Sequence, residues 1–319
     1  MIEKNRLYWL KRAEQQDKLA RKEEDEIIKE VAKLYEEAFL ESYRDLYQFY
    51  LDYCDEDGIL TMEEAMKLLE PVNLKDNAKK IKALNEIYKQ TGDEYVRKYM
   101  KFLQARGKVT RQQALIDGIH VRFIEATAKS NEVMAKKLEK MYKREFKDAL
   151  EAVGEESKTI PNRAVMFAVA YKWSGLNFSD RIWKNKDKLI TFLDQELTKA
   201  IIKGVDGRKV ARNGELRKLL KDQEKNVRWN CERLIRTESS HIRVQASLDG
   251  YKKSKYVNAV EILVAGDERM CSDCGDKDGV VIVLENVVVG DNVPPFHWHP
   301  SCRCSISPVH LDNVDDADE

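Results

Sequence analysis

Residues 258–284 read NAVEILVAGDERMCSDCGDKDGVVIVL, and there the chain changes character. Val260, Ile262 and Val264 alternate with Glu261 and Leu263, and Val280-Val281-Ile282-Val283-Leu284 is a short β-branched run. Both stretches predict strands. The segment Arg269 to Gly279 between them has the composition of a tight turn and carries Cys271 and Cys274. Upstream the texture is helical: of 6 prolines only Pro71 and Pro161 precede residue 294, and Ala, Leu, Glu and Lys abound. The pattern predicts a mainly α protein with a small α+β C-terminal domain: a long N-terminal helix, a helical middle, and a metal-stapled β-hairpin knuckle.

Residues 5–53 read as one helix, with Ile27, Val31, Leu34, Ala38, Leu46, Phe49 and Tyr53 on one apolar stripe. Unbroken, it would be about 73 Å long at 1.5 Å per residue. Its first 25 residues are more polar and read as an arm that orders against a partner. Thr61 with Glu64 predicts a capped helix over 62–70, and Thr110 with Gln113 predicts another running toward Val153. Further helices are expected over 164–173, 179–203 and about 208–253, with Gly204 and Gly207 as the break between the last two. These readings divide the chain into a helical region at 1–160, a second region at 161–308, and an acidic tail at 309–319.

Among the 319 residues, hydrophobic side chains make up 43%, enough for a core, and charged ones 35%, which implies broad solvated faces. No apolar run approaches the roughly 18 residues a membrane helix needs. The opening MIEKNRLYWLKR is unlike a secretory signal, so reduced thiols in a cytoplasmic setting are expected. The balance of 56 basic and 56 acidic residues conceals a polarity along the chain. Arg208 to Lys255 holds 14 Lys/Arg against 6 Asp/Glu, whereas Tyr256 to Glu319 holds 3 against 13.

Four of the six cysteines lie in the last 49 residues. The C-x2-C pair of Cys271 and Cys274 lets one chain reversal present two thiolates to one ion. His299 and Cys302, three apart, can close a tetrahedral site from the other side. The expected ligands are Cys271, Cys274, His299 and Cys302, with Cys304 as the alternative to His299, around a structural zinc. A catalytic zinc is disfavoured, because four good ligands leave no open position and no Glu adjoins a ligand as it would in H-E-x-x-H. Cys54 and Cys231 read as small buried hydrophobes.

Arg217, Lys221, Lys225 and Arg228 follow helical spacing and form one cationic face. Such a face is either solvated surface or a phosphate contact that ignores base sequence. Asp55 to Gly58 has the look of a calcium loop, but Tyr53 stands where its first Asp belongs and Glu64 serves the cap. Arg236 and Glu238, two apart on a helix, point to different faces and read as packing or salt-bridge elements. No nucleophile-and-base arrangement is visible, so a non-catalytic, partner-binding protein is expected.

The last third resembles the Mu F-like phage head morphogenesis, or minor head, protein family. The resemblance rests on Arg233 to Glu238, Asp267-Glu268-Arg269 leading into Cys271 and Cys274, Asp278-Gly279, Pro294-Pro295-Phe296, and His299 to Cys304. Trp173-Ser174-Gly175 and Asn177 to Trp183 are similar to members from phages of Gram-positive bacteria. Family members often run from Pro-Pro-Phe almost directly into His-Pro; here His297-Trp298 intervenes, leaving His297 as a second candidate ligand beside His299. The resemblance implies a virion component of few copies, in the head interior near the portal vertex, with a host-cytoplasmic stage during assembly. It implies binding to portal protein or to packaged duplex DNA without sequence preference, with scaffold or major capsid protein as further contacts, and a role in head assembly or genome delivery. The rival readings are a zinc-containing phage enzyme (nuclease or transferase), which would need an open metal position or a paired acid and base, and a host-directed nucleic-acid-binding protein.

Overall fold

No proline interrupts the first 70 residues, and in a computed structural model Ile2–Tyr53 forms a single helix, α1. The structure describes residues 2–69, 74–106, 108–156, 159–204, 206, 215–265, 272–296 and 299–312; side chains of 2–4, 74–76, 215–217, 219 and 273 are outside that description. The remaining helices are α2 (Met62–Met66), α3 (Leu74–Thr91), α4 (Glu94–Ala105), α5 (Arg111–Ala152), α6 (Asn162–Ala170), α7 (Phe178–Ile202), α8 (Glu215–Tyr251) and a single turn, α9 (Ser272–Gly275). Strands β1 (Ala259–Leu263), β2 (Val281–Val283) and β3 (Ser305–Val309) form an antiparallel sheet ordered β2-β1-β3. The protein is mainly α with a small sheet near its C-terminus. Among the described residues no helix is long and apolar enough to cross a membrane.

The chain sorts into two compact units, each assembled from separated stretches. One comprises Met1–Ile28, Met134–Arg181 and Glu232–Glu319; the other comprises Lys29–Val133 and Ile182–Cys231.

In the second unit the apolar stripe of α1 is buried as its spacing predicts. Val31, Ala38, Leu46 and Phe49 are buried, while Leu34 and Tyr53 ride the edge of the stripe half-exposed. Phe39 meets Phe123 of α5 edge-on at 4.9 Å, and the Tyr35 hydroxyl lies 3.0 Å from that of Thr127. Each such apolar side chain removed from water stabilises by about 1.5–3 kcal/mol. The capping box at Thr110 and Gln113 forms reciprocally, each bond at 3.2 Å; at the start of α2 Thr61 Oγ1 accepts from Glu64 N at 3.2 Å, while the Glu64 carboxylate turns to Lys67 and Arg111. Helix α2 nevertheless stops at Met66, short of the expected residue 70. The chain leaves it to pair with the segment before α5, with Leu69 N donating to Val109 O and Arg111 N to Lys67 O. Asp55 Oδ1 accepts from the backbone N–H groups of Asp57 and Ile59, so the calcium-like stretch is a turn.

In the first unit β1 is central. Ala259, Val260, Ile262 and Leu263 are all buried and Glu261 alone is half-exposed, so this strand, paired on both edges, is covered on both faces. Strand β3, not foreseen, takes the free edge of β1, with Pro308 opposite Val260. A proline, lacking an N–H, is tolerated at such an edge. Helix α8 packs on α5 through Gly250, where a Cβ would stand 2.7 Å from that of Ala149.

The polar N-terminal segment is also corrected. Arg6 pairs with Glu261 at 2.6 Å and Asp278 at 2.8 Å, Trp9 meets Tyr251 edge-on at 6.5 Å, Arg12 donates to the Asp148 carbonyl at 2.7 Å, and Ala20 is fully buried. Its polarity serves long-range ion pairs within this unit.

Candidate metal centre

Three of the expected ligands converge. The turn α9 presents Cys274, and the loop entering β3 presents His299 and Cys302, reversing at Ser301, whose φ of 60° is left-handed. The ligand atoms of Cys274, His299 and Cys302 lie within 4.8 Å of one another. Cys274 Sγ is 3.3 Å from His299 Nδ1 and 4.0 Å from Cys302 Sγ. A tetrahedral zinc with the usual bond lengths requires about 3.5 Å between sulfur and nitrogen and about 3.8 Å between sulfurs. The donor set therefore fits zinc, and two thiols with an imidazole favour it over hard cations. Cys304 is buried and in contact with Cys302 but is not one of the three that converge; Cys271 and His297 lie outside the described residues. Hydrogen bonding to Cys274 and Cys304, with burial, holds the Cys302 thiol up in its protonated form. A bound divalent cation supplies the charge that reverses this preference.

The centre is set in an apolar core. Cys274, Cys302 and Cys304 belong to one buried cluster with Val260, Ile262, Phe296 and Ile306. It is also tied to α8, because Ser301 N donates to Thr237 Oγ1 at 3.0 Å.

Thr237 stands between two residues that fan out as helix geometry dictates. Arg236 reaches Glu24 and Asp25 of α1, each at 3.0 Å, and Glu232 at 2.9 Å. Glu238, 3% exposed, accepts from Trp173 Nε1 at 3.0 Å and pairs with Arg181, which also donates to Ser174. Burial pushes the Glu238 carboxyl above its ordinary range. His241 stacks on Trp173, centroids 4.5 Å apart and planes at 12°, and burial lowers its pKa to about 3. Gly290 (φ 98°) closes this cluster; a Cβ there would stand 2.7 Å from Trp173. Trp173-Ser174, Arg181 and Glu238, separate in sequence, thus form one packed polar cluster. Composition offered no signal for it; only the order of the motifs did.

The cationic face lies on α8. Lys221, Lys225 and Arg228 are exposed, with Lys225 Nζ 3.8 Å from Asp222; the Arg217 side chain is outside the described residues. Trp229, 58% exposed, adds an aromatic beside them that periodicity passed over.

The second unit holds a buried polar cluster of its own. Lys186, whose side chain is fully buried, places Nζ 2.6 Å from His120 Nε2 and 2.7 Å from Asp187 Oδ1. Burial lowers Lys186 to about 8, and burial with the nearby Lys186 charge lowers His120 to about 3. The unfolded chain takes up a proton on His120 near pH 6.5, which the folded unit refuses until about pH 3. This contribution is therefore fully present above 6.5 and is lost as pH falls through that window, by about 3 kcal/mol at pH 4. His120→Gln, which keeps an acceptor for Lys186 and cannot titrate, is expected to flatten the acid limb of stability against pH in urea titrations. An unchanged acid limb would show that other groups govern it.

Residues 192–307 match the family described as Phage Mu protein F like protein. That stretch is Mu F-like, and the family points to phage head morphogenesis. It contains Glu238, Cys274, His299 and Cys302; Trp173 and Arg181 precede it. Neither the curated proteins nor the solved structures provided a match.

Proposed function

We propose, from the premise that this is a Mu F-like phage protein, that the chain is a minor head protein of the virion that acts by binding and does no catalysis. The Mu F-like match across residues 192–307 carries the reading, because the metal cluster and the Arg236–Glu238 helix fall inside it. Zinc, held by Cys274, His299 and Cys302 with a further cysteine, supplies a structural crosslink. The chain's own residues do the rest: they close the loop before β3 onto α8 through Ser301 and Thr237. Glu238 is engaged by Arg181 and Trp173 and is nearly inaccessible, which supports a packing role over acid–base chemistry. The partners are portal protein, with scaffold or major capsid protein as further contacts, and duplex DNA inside the head. Coexpression with portal protein followed by affinity pull-down tests the first partner. Recovery of portal with the full chain supports the reading, and its absence overturns portal binding.

The DNA contact is assigned to the exposed cations of α8. Affinity for duplex DNA should be weak, indifferent to sequence, and steeply reduced by salt through counterion release. Replacing Arg217, Lys221, Lys225 and Arg228 together is expected to flatten the logarithmic salt slope by up to about four, near one per lost phosphate contact. An unchanged slope would make this face ordinary solvated surface.

A further inference from the structure

The first unit carries a groove of about 1210 Å³ between α6, the C-terminal turns of α8 and the Val287–Val289 segment. That is larger than the 300–1,000 Å³ usual for a small-molecule pocket. Helix α6 is apolar but buries only Val165 and Val169, four apart on one face. The face toward the groove leaves Phe167 72% exposed, with Tyr171 at 54% and, across the groove, Val288 at 55%. Large apolar side chains left together in water mark an interaction surface.

Charge specifies what such a surface accepts. Among the described residues the one carboxylate in the lining, Asp249, accepts from Tyr142 Oη and from Gln245 Nε2. The cations Arg163, Lys252 and Lys253 have no ion-pair partner among the described residues. The groove is thus apolar within and carries three cations against one carboxylate around its wall. We propose that it binds a peptide segment of a partner protein, apolar along one face and acidic at its flanks. Leu248, Val289, Ile160 and Ala164 line it with aliphatic surface that nucleic-acid bases would leave unused, whereas leucine and phenylalanine side chains fill such surface. Burial of the apolar face supplies the affinity, and the three cations select against basic segments and raise the rate of encounter. The proposal rests on the groove and is independent of a head role.

The test is selection of a displayed random-peptide library on the full chain, followed by affinity measurement of the selected peptides by fluorescence anisotropy. Enriched peptides should pair aromatic or aliphatic residues at helical spacing with Asp or Glu flanks. Phe167→Ser should weaken them at least about tenfold, as loss of a central anchor does. Lys252→Glu with Lys253→Glu should do the same while zinc content and helicity stay at the parent values. Exchanging Asp and Glu for Lys in a selected peptide should remove binding. The proposal is overturned if no sequence is enriched, if the enriched peptides lack acidic flanks, or if they bind Phe167→Ser as well as the parent. It is equally overturned if a single-stranded oligonucleotide displaces a selected peptide and loses affinity with Phe167→Ser. A self-associated parent that Phe167→Ser converts to monomer would assign the groove to a second copy and overturn it too.

Discussion

Cys302→Ser should yield a chain that binds no zinc and has lost the β1–β3 sheet while its long helices remain. Binding energy at structural zinc sites in small domains is roughly 10–16 kcal/mol and is largely folding energy. Here the ligands are part of the apolar cluster itself: Cys274 is 1% exposed, Cys302 2%, and both pack with Val260, Ile262 and Ile306. Losing the ion removes the crosslink between α9 and the loop before β3, and frees the loop that Ser301 holds to Thr237. Far-ultraviolet dichroism should change little, since the helices dominate it, whereas amide exchange over 259–263 and 305–309 should become fast. Cys231→Ser, at a buried cysteine remote in sequence from the cluster, should retain about one zinc per chain. A reduced, folded parent without zinc, or a Cys302→Ser protein with full protection of the sheet, would contradict the assignment.

Deleting residues 1–25 should destabilise the first unit by on the order of 5 kcal/mol, comparable with the whole stability of many domains. The deletion exposes Tyr251 where Trp9 covered it and removes the partners of Glu261 and Asp278. It also strips Arg236 of Glu24 and Asp25, and Arg243 of Asp17. Glu24 is 3% exposed, and its removal leaves Arg236 with Glu232 and Arg243 with Glu145 as their remaining partners. Losing one member of a buried network is costlier than the contact is worth, because the other charges are left less compensated. Thermal unfolding of the truncated chain should begin with the sheet region. A truncated protein that melts with the parent would return this segment to the status of an independent arm.

The helices that could be read in the sequence are those with local punctuation. Thr61, Thr110 and the apolar stripe of α1 carry their structural instruction within a few residues, and the C-x2-C and H-x2-C spacings do the same for the ligands. Helices α3 and α4 went unassigned, although Gly92 (φ 64°) and the Asp93 cap separate them, because their lysine-rich faces mask the buried Leu84, Val96 and Leu103. Strand β3 was hidden by Ser305, Ser307 and Pro308, and its reason for existing is the open edge of β1, which is not a local property. The polar start of α1 misled for the same reason: Arg6 finds Glu261 only after 255 residues. The Trp173, Arg181, Glu238 and His241 cluster is likewise a product of packing, legible beforehand only as an ordered set of motifs.

The measurement that bears most directly on the account is quantitative mass spectrometry of purified, DNA-filled phage heads. The account predicts that the chain is present in them, at far fewer copies than the major capsid protein. Its absence from heads, with all of it recovered in the soluble host fraction, would contradict the assignment as a minor head protein.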